Sequence, residues 1–69
     1  MNKEQARELA LFGTGKKITH EKGCGEYTVI GFCRVQIKGL WEDAIQYRKY
    51  NDIYVRLLND CEKMHISKG

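Results

Sequence analysis

EYTVIGFCRVQIKGLWEDAIQYRKYNDIYVRLL, residues 26 to 58, is the stretch that decides the fold. It holds the only Trp, all four Tyr and one of the two Phe, so most of the core must come from it. From Glu26 to Ile37 the residues alternate. Tyr27, Val29, Gly31, Cys33, Val35 and Ile37 share one face, and Thr28, Ile30, Phe32, Arg34, Gln36 and Lys38 share the other. The first face is apolar throughout; the second turns polar from Arg34 onward. A strand buried on both sides at its start and on one side later fits a bent strand of a small barrel. Gly31 marks where a bend or bulge belongs. Lys38-Gly39 reads as a hairpin turn, with Gly39 at a positive-φ position. The next strand, Leu40 to Tyr47, puts Trp41, Asp43, Ile45 and Tyr47 on one side, and Trp41, Ile45 and Tyr47 are expected in the core because large aromatics dominate small cores. Arg48 to Asp52 reads as a polar turn, and Ile53 to Leu58 as the last long strand.

Working outward, Asn2 can cap a helix, with Gln5 completing a weak capping box. Ala6, Leu9, Ala10 and Phe12 form a narrow apolar stripe at near-helical spacing, and Gly13 stops the helix as a C′ residue. A helix over residues 3–11 is too short to persist alone and must dock, on an open side of the β-core or, alternatively, on a partner protein. Residues 16–20 read as a short first strand, and Glu21 to Gly25 as a turn. On the other side, Asn59 to Met64 reads as a helical turn that tucks Cys61 and Met64 inward, while residues 65–69 are expected to fray. The expected architecture is mainly β (α+β): a small SH3-like barrel of four or five antiparallel strands over residues 16–64, with an N-terminal helix. A five-stranded OB-type barrel fits less well.

The chain has 69 residues and reads as one domain, 1–69. A chain of this size buries only about 60% of the surface its unfolded form exposes. Hydrophobic content of 42% and charged content of 30% are those of an ordinary globular domain. No apolar run approaches a membrane span and no signal-peptide pattern opens the chain, so a cytoplasmic protein without membrane contact is expected. Cys24, Cys33 and Cys61 are an odd number without a close pair, which reads as reduced thiols.

His20, Lys22-Gly23, Tyr27-Thr28-Val29-Ile30-Gly31, Tyr47-Arg48 and Tyr54-Val55-Arg56-Leu57-Leu58 follow a recurrent order. Over about residues 16 to 64 it resembles the pattern H-x-K-G-x-x-Y-x-V-x-G, V-Y-x, W-V-R-P-L-x-x-F of a family of small bacterial and phage proteins of unknown function. Leu58 stands where that family has Pro, and Cys61 near its Phe. The resemblance implies a compact SH3-like barrel and a phage or prophage origin, and brings no activity with it.

Four chemistries can be weighed on the residues. His20-x-x-x-Cys24 and Cys61-x-x-x-His65 have zinc-ligand chemistry but not the tight spacing of zinc knuckles, and packing accounts for Cys61 more simply. Cys24 beside His20 would suit a nucleophile, yet so short a chain leaves little room for a substrate pocket as well as a core. Gly13 to Lys17 lacks the full phosphate-loop signature. No cofactor and no catalysis are therefore expected. Lys16, Lys17, Lys22, Arg34 and Lys38 are candidate nucleic-acid contacts, with Tyr27, Phe32 or Tyr54 to stack bases, against a net charge of only +3. The leading expectation is a non-enzymatic module that binds a protein partner, an adaptor or inhibitor of a host protein, through Lys38, Asp43 and Tyr50, joined by Trp41 if that side chain is exposed rather than in the core. Nucleic-acid binding through residues 16–38 is the alternative. The protein is expected to be a monomer or a homodimer.

Overall fold

A computed structural model describes residues 1–23 and 25–67. Asn2 opens helix α1 (Lys3–Phe12) with both halves of a capping box. The Gln5 amide donates to Asn2 Oδ1 at 2.8 Å, and the Asn2 amide donates to Gln5 Oε1 at 3.0 Å. The helix ends one residue beyond the expected position. Gly13 is required there for a reason other than a left-handed backbone, since its φ is −110°. A Cβ at that position would lie 2.6 Å from both the Leu9 carbonyl oxygen and Leu9 Cδ1.

Five strands follow: β1 (Lys17–His20), β2 (Glu26–Ile37), β3 (Leu40–Lys49), β4 (Asp52–Leu57) and β5 (Met64–Ile66), with a 3₁₀ turn at Leu58–Asp60. They form one antiparallel sheet in the order β4-β3-β2-β1-β5. This is a small α+β fold, mostly β, with the strand order of an SH3-like barrel, but the sheet does not close, and β4 and β5 are its edges. The fraying expected over residues 65–69 is corrected for 65–67, while residues 68 and 69 lie outside the described residues. Residues 64–66 pair with β1, Ile18 opposite Ile66 and His20 opposite Met64, and Met64 enters the core, so backbone pairing and burial together hold this segment.

The bend in β2 is real and changes its facing. Val29 lies opposite Tyr47 and Gly31 opposite Gln46, so one extra residue, Ile30, is accommodated between them. The bulge breaks the simple alternation and brings Phe32, opposite the buried Ile45, to the same side as Val29. Cys33 and Val35 then share the other side with Ala44 and Glu42, rather than continuing the Val29 face.

Helix and sheet meet in one core of Ala6, Leu9, Ala10, Ile18, Val29, Ile45, Tyr47, Leu58, Cys61 and Met64, with Tyr27 and Phe32 packed against it. Cys61 and Met64 do tuck inward, and the Cys61 thiol donates to the Leu57 carbonyl at 3.3 Å. Trp41 does not join them. It is 66% exposed, which corrects its expected place in the core.

The register explains why. β4 pairs with β3 only from Ala44 to Lys49, and β1 pairs with β2 only at Glu26 to Thr28. Residues 34–37 and 40–43 therefore pair only with each other, as a two-stranded arm. Trp41 sits near its end, opposite Gln36, on the rim of a hollow of about 100 Å³ shared with Lys3, Leu58 and Asn59, and is not buried against the core.

Candidate functional site

The arm is closed by Lys38-Gly39, both at positive φ (52° and 83°), which is the two-residue turn that matches strand twist. Below it the Arg34 Nε donates to Asp43 Oδ1 at 3.3 Å, across the register pair of the two residues. This ion pair is solvent-exposed and contributes under about 1 kcal/mol. Arg34 also lies over the Phe32 ring at 5.9 Å. At the end of the arm, Leu40 is 67% exposed beside Trp41, and Ile37 is exposed opposite Leu40.

Three tyrosines pack at the far end of the sheet. Tyr27 meets Tyr47 edge-on at 5.3 Å and Tyr54 edge-on at 5.6 Å, while Tyr47 and Tyr54 stack at 5.7 Å. The Arg56 Nε donates to the Tyr47 hydroxyl at 3.3 Å, and this bond holds the guanidinium above its ordinary pKa. Such mutual packing occupies the ring faces that bases would need, so these tyrosines serve as a half-buried wall. They bound a shallow hollow of about 230 Å³ shared with His20, Lys22 and Met64.

On the opposite side of Tyr27 lies a larger cleft of about 430 Å³, lined by Lys17, Gly25, Glu26, Thr28, Arg48, Lys49 and Tyr50. Lys17, Thr28 and Arg48 occupy one cross-strand row over β1, β2 and β3. The Lys17 Nζ donates to Thr28 Oγ1 at 2.7 Å, and the Lys49 Nζ stands 5.3 Å over the Tyr27 ring.

The sequence-derived candidates are thus divided. Lys38, Trp41 and Asp43 lie together on the arm, but Tyr50 is at the other end of β3, about 30 Å away at the rise of a strand. Lys16, Lys17, Lys22, Arg34 and Lys38 do not form one patch. Lys38 is at the arm's tip, Arg34 is engaged by Asp43, and Lys16 lies beside Phe12 and Ile66 at the helix. Arg48 and Lys49 were missed as functional residues because RKYND reads as a polar turn; only the pairing Lys17–Thr28–Arg48 reveals their neighbourhood. Of the zinc candidates, Cys24 lies outside the described residues, Cys61 is in the core, and His65 is exposed opposite Thr19. Among the described residues no group of three or more His, Cys, Asp or Glu is placed to hold a metal ion. No helix among them is long and apolar enough to cross a membrane.

No family model matches this chain, and no curated protein or solved structure is significantly similar to it.

Proposed function

We propose that this protein is a non-enzymatic binding module that docks a protein partner on the end of the β2–β3 arm, in the cytoplasm of a bacterial host. One observation carries the reading: Trp41, the only Trp of the chain, is two-thirds exposed, with the equally exposed Leu40 on the other face of the arm. A folded chain gains most by burying its Trp, and an exposed Trp that shares its face of the arm with Asp43 and lies near Lys38 has the composition of an interface anchor with a polar rim. The arm's geometry supports the same reading. A two-stranded ribbon is marginal in water, and a partner that covers Ile37, Leu40 and Trp41 would stabilise it. Such a module would act as an adaptor or inhibitor of a host protein.

The test is affinity capture from bacterial lysate with the wild-type chain and with a Leu40→Ser/Trp41→Ala variant. A band retained by the wild type should weaken by about 30-fold or more in apparent affinity, as removal of an interface anchor does. Equal retention by the variant would sink the proposal.

A further inference from the structure

We propose that the cleft between the start of β1 and the β3–β4 turn binds single-stranded nucleic acid, with phosphates on Lys17, Arg48 and Lys49 and a base on Tyr50. This site is separate from the end of the β2–β3 arm and does not depend on the protein-binding reading.

Positive charge is gathered on this cleft. Lys17 and Arg48 stand on one row two strands apart, so their Cα atoms are about 10 Å from each other at the spacing of adjacent strands. Side chains directly opposite in a sheet share a face, and the bond from Lys17 to Thr28 shows that this row points into the cleft. Lys49 enters the same cleft from the end of β3. Three cations therefore face one carboxylate of the lining, Glu26, which accepts a hydrogen bond from the Ser67 hydroxyl. Asp52 lies across from Lys49 on β4. A concave surface with this excess attracts a polyanion rather than an isolated acidic side chain.

Tyr50 stands on the rim of the same cleft. It is 84% exposed and holds φ at 56°, in the left-handed region. In a two-residue hairpin turn with one positive φ at the first position, glycine is the residue of lowest energy, and a bulky aromatic is strained. Neither burial nor turn geometry accounts for a tyrosine here. A ring kept at a strained, exposed position on the rim of a basic cleft has the chemistry of a stacking platform, which is indifferent to base identity because every base has a π-face. Stacking on such a ring requires a base free of its duplex partner, which selects a single strand.

The experiment is a fluorescence-anisotropy titration with labelled oligonucleotides of about 12 nucleotides, single-stranded and duplex, at roughly 50 and 200 mM salt. Two to three phosphate contacts predict that this salt increase weakens single-strand binding roughly 7- to 20-fold, at a log–log slope of about −0.7 per phosphate. The Lys17→Gln/Arg48→Gln variant should bind weakly, with a salt effect of only about threefold. Arg7→Gln removes a charge from the exposed face of α1 and should leave affinity within about twofold. Tyr50→Phe should bind like the wild type. Tyr50→Gly should lose about fivefold or more in affinity while its denaturation midpoint holds or rises, a divergence that a purely structural tyrosine would not produce. No single-strand binding at the lower salt, duplex binding of equal strength, salt-independent binding, an equal loss with Arg7→Gln, or full affinity in Tyr50→Gly would each overturn the proposal.

Discussion

Gly13 and Cys61 show how single residues are held by their surroundings. A methyl group at Gly13 would meet the Leu9 backbone carbonyl, which cannot move without breaking the last turn of the helix. Gly13→Ala is expected to destabilise the fold by about 1–3 kcal/mol, read from the urea midpoint. Burial raises the Cys61 thiol above its ordinary 9.0, with Arg56 and the amino terminus of the chain pulling partly the other way. Since the folded pKa exceeds that of the unfolded chain, the neutral thiol's contribution is complete below about pH 9 and is lost as pH rises through the folded value. The urea midpoint should therefore fall above about pH 9, and fall less in Cys61→Val. The thiol is also shielded. Iodoacetamide should label Cys61 about tenfold or more slowly than the half-buried Cys33, as followed by peptide mass spectrometry.

The elements differ in how firmly their ends are specified. The β2–β3 turn has positive φ at both Lys38 and Gly39, the conformation for which Asn-Gly is favoured. Lys38→Asn should stabilise the arm by about 0.5 kcal/mol, whereas Gly39→Ala should cost about 1 kcal/mol, both by thermal denaturation. Helix α1 is tied by its capping box at one end and by the tight Gly13 approach at the other, yet it is stabilised chiefly by docking. Its apolar stripe is narrow: Ala6, Leu9 and Ala10 are buried, while Phe12, placed on the same stripe by spacing, is largely exposed. Phe12 closes the helix roughly 110° around the axis from the centre of the face formed by Ala6, Leu9 and Ala10, so its ring points away from the sheet.

For the whole molecule, the helix closes the core that an open sheet leaves uncovered. Leu9 contributes the largest helix side chain to that core, and Leu9→Ala should cost about 2–4 kcal/mol, a large fraction of the stability of so small a domain. The two proposed surfaces lie at opposite ends of β3, the apolar arm at one and the basic cleft at the other. The molecule's longest dimension of 37 Å keeps them apart, so variants in one should leave binding at the other intact.

What the amino-acid sequence determined by itself is the local order of the chain. The capping box of Asn2 and Gln5, the limits of β2 from Glu26 to Ile37, and the Lys38-Gly39 turn are short-range properties of backbone preference and side-chain alternation. They are fully present in the residues involved. Which residues meet, and which side remains open, is set by strand pairing across the fold. Trp41 is exposed because the neighbouring strands stop at Ala44 and Thr28, a fact of pairing register that no pattern within β3 contains. The bulge at Ile30 reverses the facing of everything after it, moving Phe32 to the core side and Cys33 away. Residues 64–66 become a strand through β1 alone, whose backbone donors and acceptors lie more than 40 residues away in the chain. For the same reason the basic cleft was illegible: Lys17, Arg48 and Tyr50 become neighbours only when β1, β2 and β3 align.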